Sequence, residues 1–448
     1  MKAILYFLLL FSFSASANTC NCSFTVSPAK LFYDGLNLSL KGGDTICVKA
    51  GQYKFLQFKN FSGDSLNPLV FVNVGGEVII ENRDHYYGIT FNQCKYFKLS
   101  GKGSKDFKYG FSIKATGPGA NGLTIGGMST DAEIEFVEIS NTGFAGIVAK
   151  TDPDCNGNGI RGSFLMKNIF IHDCYIHHTE GEGMYIGNSF YSGWSGNPQC
   201  KGKVLIPHEL KNVNIINNIL EDIGWDAIQV GSVTAAANIQ GNSIKRYGVK
   251  HVAEQNNGIQ IGEGTTAIVN ANLIAQGSGN GIILMGKGNN LIYNNVIINA
   301  GKDGVFCDDR ISTDTLAVFL IAHNNIINPG ANGVTFMSDI TSNYCFNNII
   351  VNPGNFLVYQ NDKTWKKGED AFILIEKGIV CRSFSNIKTL DIATIKFQDL
   401  EKEDFRLTSA SPCVDKGQVS EIIISTDFLN KNRPQGKGPD IGAFEYFH

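Results

Sequence analysis

The chain lacks most of what would place it in the commoner protein classes. Only 11 of its 448 residues are proline against 50 glycines, a balance that fits many tight turns and argues against Pro-rich disorder. Net charge is −3, so the electrostatic footprint of a nucleic-acid binder is missing. No basic run stands ready to hold a polyuronate. Beyond the first residues nothing is apolar for long enough to cross a bilayer, and no membrane span is expected. No segment shows a helical period long enough to compete with strand alternation. Cys20 and Cys22 have no second closely spaced pair to complete a zinc site.

Met1-Lys2, the apolar run Ala3 to Phe13 and Ala15-Ser16-Ala17 form a charged start, an apolar core and a small-x-small cleavage site. That is the pattern of a secretory signal peptide over residues 1–17. It implies a secreted protein, extracellular or periplasmic, in which disulfides can form. All 11 cysteines follow the cleavage site, and the odd number leaves at least one thiol free. Cys20 or Cys22 with Cys47 can tie down the N-terminal end, and Cys155 and Cys200 sit in two long loops of consecutive units. Cys174, Cys307 and Cys345 lie inside strand patterns and read as small buried apolar residues.

One phrase recurs seven times between residues 170 and 350: apolar, any, any, Asn, apolar, apolar, centred on Cys174, Asn218, Asn242, Asn272, Asn295, Asn325 and Asn348. The first copy has Cys for Asn, and the third has Ser243 at an apolar place. A second phrase alternates with it: an acidic residue or Asn, a small residue, then alternation, as in Glu182–Gly187, Asp226–Gly231 and Asn257–Gly262. Alternation after a glycine turn is a half-buried strand, so each unit holds at least two short strands. A base period near 23 leaves no room for a crossover helix, and strands of successive units must pair in parallel and in register. The expected fold is all-β: a single-stranded right-handed parallel β-helix, a solenoid with N- and C-terminal caps. The recurring Asn then forms a structural ladder of amides from coil to coil. The β-helix with its N-terminal cap is expected over 18–352, and the last coils with the C-terminal capping region over 353–448.

The strand-turn pattern, the opening Gly-Gly-Asp-Thr-Ile-Cys-Val-Lys-Ala-Gly-Gln-Tyr at 42–53 and the ending Gly-Pro-Asp-Ile-Gly-Ala-Phe-Glu-Tyr resemble secreted bacterial proteins of the pectate-lyase-like superfamily. The resemblance covers nearly the whole mature chain. It implies export and a carbohydrate ligand. That superfamily includes polysaccharide lyases, glycoside hydrolases, epimerases and plain binding proteins, so the fold alone does not give the activity. Neither a Tyr-Gly-Asp-Pro-His epimerase motif nor an Asn-Thr-Asp-Gly polygalacturonase set is present.

Alternation sorts the strand faces. Ile228 and Val230 face inward, so Gln229 faces out, and Tyr185, Gln229, Gln260, Ile283, Phe306 and Thr335 should form one outward column. Gly187, Gly231, Gly262, Met285 and Asp308 form the next. Tyr and Gln beside glycines suit a sugar chain lying on the sheet, although a glycine can equally end a strand before a turn. Insertions at 151–163 and 188–211, the latter carrying Trp194 and His208, should wall one side of this face, and one at 245–255 the other. Glu182 and Asp226 hold equivalent places in successive coils, about 4.8 Å apart, where one pKa should be pushed up beside its partner. Glycoside hydrolysis needs such a pair, but Asn257, Asn280, Asp303 and Asn332 fill the same place elsewhere, which a turn-forming role would also explain. Asp308-Asp309-Arg310 is the densest charge cluster at a strand end. Asp308 and Asp309 can serve as acid and base or hold Ca²⁺ through oxygen ligands, and Arg310 can pair with a uronate. Otherwise the three form a self-satisfied turn.

These residues give a leading reading and two rivals. The first is a glycoside hydrolase using carboxylates among Glu182, Asp226, Asp308 and Asp309, with Tyr185, Gln229, Gln260, Trp194, His208 and Arg310 binding a polysaccharide or oligosaccharide. The second is a lyase acting by β-elimination, with His208 or Tyr185 as base. The third is a non-catalytic carbohydrate binder or adhesin. A monomer is expected, with no cofactor required and Ca²⁺ as the one candidate.

Overall fold

The computed structural model describes residues 21–196, 198–286, 288–308, 317–337, 342–354 and 371–447. The predicted signal peptide, Asp309 and Arg310 lie outside them. Among the described residues the chain winds into coils of three short strands. Two of each three enter a 23-stranded sheet and the third a 12-stranded sheet. One coil shows the plan: Glu209–Ile216, a sharp bend, Ile219–Ile223, a turn, then Ile228–Val230. Each strand pairs in parallel with its counterpart one coil away, as in Ile215↔Ile239, Leu220↔Ile244 and Ile228↔Ile259. The fold is a right-handed parallel β-helix, as expected, with three strands per coil.

Inward residues of all three strands fill one continuous core along the axis. Ile215, Leu220, Ile228 and Val230 are fully buried. The early coils fill it with aromatics, with the rings of Phe58 and Phe91 stacked at 5.2 Å and those of Phe91 and Phe97 at 4.3 Å. Later coils substitute Ile, Val and Leu. Cys174, Cys307 and Cys345 are buried free thiols. Cys22–Cys47 and Cys155–Cys200 are disulfides.

The Asn ladder sits at the bend between the two strands of the large sheet. Asn242 donates both its backbone and its side-chain N–H to Asn272 Oδ1 at 2.9 Å, and Asn272 repeats the pattern onto Asn295 at 3.1 and 3.0 Å. The residue before each rung lies in the left-handed region, as Ala271 (φ 53°), Asn294 (56°) and His323 (53°) do. The structure corrects one rung. Asn295 donates to Asn324, and Asn324 donates to Asn348, so Asn324 carries the ladder and its neighbour Asn325 does not. Asn325 Oδ1 accepts from Ala443 N–H instead. A further rung, Asn386, extends the ladder one coil beyond Asn348.

After the last coil the chain does not simply stop over the end. Ile395, Phe397, Phe405, Leu407, Ile441 and Phe444 pack side-on against Ala275, Val296, Ile298, Ile327, Ile349 and Val351. These are outward residues of one row of the large sheet, so the C-terminal segment covers a flank of the helix several coils long.

Candidate functional site

The short sheet carries the predicted column. Its register runs Tyr185↔Gln229↔Gln260↔Ile283↔Phe306↔Thr335, side by side on the outward face. The open wall expected there is not observed. Gln229 is 4% exposed, Gln260 5% and Thr335 0%; only Tyr185 and Phe306 keep partial exposure. The glycine column is likewise structural. A Cβ on Gly187 would collide with the carbonyl of Gly231, and one on Gly231 with that of Asn188, so these positions admit the neighbouring backbone rather than a ligand.

Just before this sheet runs a second ladder. Asp226 Oδ1 accepts from the backbone and side-chain N–H of Asn257 at 2.7 and 2.9 Å; Asn257 Oδ1 accepts from the Asn280 amide at 2.9 Å. Asn280 Oδ1 accepts from Asp303 N–H, and Asp303 Oδ1 from Asn332 N–H. Glu182 stands one coil above Asp226, since Gly183 N–H bonds the Asp226 carbonyl. Both acids are buried, at 2% and 0% exposure. Glu182 Oε2 and Asp226 Oδ2 have no hydrogen-bond partner. Burial pushes Glu182 up to about 7, against the pull of Lys150. Burial pushes Asp226 up to about 7 as well, with the charge of Glu182 adding to it and the Asn257 bonds opposing. Asp303, deeper in the same ladder, is raised to about 6 by burial.

Within reach of the Glu182 charge lies a lysine that the periodicity did not flag. Lys150 follows the strand Ile147–Ala149 and stands in the column of Gly187. Its ammonium sits 4.4 Å from the centre of the Tyr185 ring and 2.8 Å from Asp152 Oδ1. Burial works against its charge, but Tyr185, Asp152 and Glu182 together outweigh it and the pKa is raised. Lys150 is therefore an ammonium at neutral pH, not a free base. The Tyr185 hydroxyl meets Ser189 Oγ at 2.9 Å. A surface groove of about 390 Å³ continues from here over earlier coils, lined by Gln57, Lys59, Asn92, Asp152, Asp154 and Asn158. The sequence signal for Lys150 was slight: a charge in a strand-end column where the next three coils have glycine.

The loops are tied as expected, with consequences for two predicted residues. Cys155–Cys200 joins the 151–163 and 188–211 insertions. Trp194 is 40% exposed at a short antiparallel bridge to Leu205, with the Phe190 ring 5.6 Å away. Arg161 stacks 3.8 Å from the Tyr191 ring, whose hydroxyl donates to Glu209 at 3.2 Å. His208 is fully buried. Its Nε2 accepts from Thr151 N–H at 3.1 Å and its Nδ1 donates to the Glu209 carbonyl at 3.0 Å, and burial lowers its pKa. Both nitrogens of a neutral ring are spent on backbone, so His208 is a strut between loops, neither a sugar contact nor a lyase base.

Asp308 is not brought to the acid pair. Four strand steps separate its strand from that of Tyr185, about 19 Å at the usual spacing. Its proposed companions Asp309 and Arg310 fall outside the described residues. Among the described residues, Glu133, Glu135 and His172 place ligand atoms within 4.8 Å of one another on the large sheet. Lys98 bonds both carboxylates at 2.6 and 2.8 Å, and Lys102 reaches Glu135 at 3.0 Å, so side-chain cations already satisfy that cluster. No helix among the described residues is long and apolar enough to cross a membrane.

A family profile described as "Right handed beta helix region" matches residues 208–369. No curated protein matches the chain by sequence. Among solved structures, a GH136 lacto-N-biosidase from Eubacterium ramulus is similar at a TM-score of 0.53 and 12% identity, over 83% of this chain and 68% of that one. The pectate lyase Pel9A gives 0.49 and 13%, over 96% and 98%. An alginate lyase from Paenibacillus sp. gives 0.36 and 13%, over 83% and 99%. The chain is thus a right-handed parallel β-helix.

Proposed function

We propose that the chain is an exported glycan-active β-helix that hydrolyses a polysaccharide held across the outer face of the short sheet at Tyr185, with Glu182 and Asp226 as its carboxyl pair. The observation that carries this reading is the pair itself: two acids in adjacent coils, each with a buried partnerless oxygen and each pushed up to about 7. Two carboxyls this close cannot both ionise readily, so near neutral pH they hold roughly one proton between them. A hydrolase needs that state, one carboxyl as acid and the other as carboxylate.

Lys150 and Tyr185 form the cover of this site. The glycan stacks on Tyr185 and opens the Lys150–Asp152 pair to reach Glu182, which is otherwise closed to solvent. The GH136 lacto-N-biosidase with this fold makes glycosidic cleavage compatible with the scaffold; the fold does not itself select it.

A lyase reading is favoured by one specific feature, the ammonium of Lys150 over the Tyr185 ring, since a uronate carboxylate would pair with that cation. The products decide. Hydrolysis releases reducing ends without new ultraviolet absorbance, elimination gives an unsaturated absorbing product, and a binder gives neither. In a screen of algal, plant and animal glycans, Glu182→Gln should lower turnover by about a hundredfold or more. Full turnover in both Glu182→Gln and Asp226→Asn would remove the pair from the mechanism.

A further inference from the structure

We propose that the turns leading into the short sheet form a second saccharide site, a cleft of about 1020 Å³ that takes a neutral oligosaccharide laid along the coil axis. It goes beyond the reading above and does not depend on Glu182 or Asp226 being catalytic.

The cleft is built by unequal turns. Arg83, Thr116, Asn141, Glu180 and Lys250 line it, each following the last strand of the large sheet in its own coil. From the strand before Arg83 to the one before Lys250 there are five pairing steps, about 24 Å at the usual spacing. The turns between are short. Gly143 lets one floor segment lie against the next, because a Cβ there would strike the carbonyl of Gly117. The 245–255 insertion, expected from the sequence to wall the sheet face, contributes Val249 and Lys250 to this cleft.

The lining chooses the ligand. Its two cations, Arg83 and Lys250, are matched by two acids, Glu180 and Asp222. Lys250 lies 2.7 Å from Glu180, and Asp222 is held by Arg246 at 2.7 and 3.0 Å and faces His178 at 3.8 Å. A polyanion would meet both carboxylates, and a polycation both cations. A sugar hydroxyl both donates and accepts, and fits between them. Among the described lining residues the sizeable apolar side chains are Pro118 and Val249, which supply none of the aromatic anchors that a protein partner's contact usually needs. The volume stands at the upper end of the roughly 300–1,000 Å³ of small-ligand sites, and the length suits several linked rings rather than one.

The test is binding rather than turnover. The purified protein is screened on an array of neutral and uronate-bearing oligosaccharides, and neutral hits are titrated calorimetrically. Val249→Trp fills the cleft, and Arg83→Ala with Lys250→Ala strips its exposed cations without touching the core. Each should weaken a neutral hit by about tenfold or more, with circular dichroism unchanged, while Glu182→Gln binds it as wild type. The proposal is overturned if no neutral oligosaccharide binds, if only uronate-bearing ones bind, or if the hit survives in the double variant and is lost in Glu182→Gln. If instead Glu182→Gln and Asp226→Asn both keep full turnover while the cleft variants lose binding, the carboxyl-pair assignment fails and the cleft stands.

Discussion

Replacing Asp226 by Asn separates a functional residue from a structural one. Asn occupies the same rung in the coils of Asn257, Asn280 and Asn332, and its Oδ1 can still accept the two Asn257 bonds at 2.7 and 2.9 Å. The ladder should survive. What disappears is a buried acid whose pKa is raised by burial from 3.8 to about 7. Such a group binds its proton more tightly folded than unfolded, so stability falls as pH rises from the unfolded pKa to the folded one, then levels off. A shift of about 3 units at about 1.4 kcal/mol each gives about 4 kcal/mol as the upper limit, since Glu182 shares the titration. Wild type and Asp226→Asn should therefore be alike near pH 4, and the variant should gain progressively up to about pH 7 and stay ahead above it. Urea unfolding at a series of pH values, read by circular dichroism, measures this. Parallel pH profiles for the two proteins would refute the buried-acid argument. A stability gain together with lost turnover would mean that the native carboxyl is kept at the expense of stability, as catalytic groups are.

The ladder assignment predicts that neighbouring asparagines differ sharply. Asn324→Ala removes the side-chain bonds to Asn295, Asn348 and the Ile292 and Ala322 carbonyls and should cost about 3–5 kcal/mol, whereas Asn325→Ala, losing one bond from Ala443, should cost about 1 kcal/mol. Equal costs in urea unfolding would contradict the assignment. Replacing Cys155 and Cys200 by Ser opens a closure spanning 45 residues, nominally about 4 kcal/mol of chain entropy. Because both lie in loops, the expected effect is local: faster protease cleavage within 188–207 with the unfolding midpoint of the coils little changed. Unaltered cleavage would show that the Trp194–Leu205 bridge and the Arg161–Tyr191–Glu209 contacts hold the loop without the disulfide.

Much of the architecture was legible because it repeats. An inward residue every second place and an amide every turn are periodic constraints, so strand faces, register and the pairing of Tyr185 with Gln229 and Gln260 could be read in one dimension. The rung at Asn324 could not, because Asn325 satisfies the phrase in full while Asn324 has Asn325 at an apolar place, and only the left-handed bend at His323 settles which one turns inward. Exposure was equally illegible. Alternation says which side of a strand a glutamine faces, not whether something lies on top of it, and Gln229 and Gln260 proved covered. His208 looked like chemistry in a loop and is a buried strut, since its partners Thr151 and Glu209 come from separate segments.

The amino-acid order by itself determined the coil, its parallel register and the stacking of Glu182 over Asp226, because these follow from local period and strand spacing. Tertiary structure alone decided what those acids experience. Their raised pKa values, the ammonium of Lys150 above Tyr185 and the cleft between Arg83 and Lys250 arise where residues from different coils and loops exclude water together. Exclusion of water is a property of the assembled surface, not of any one segment.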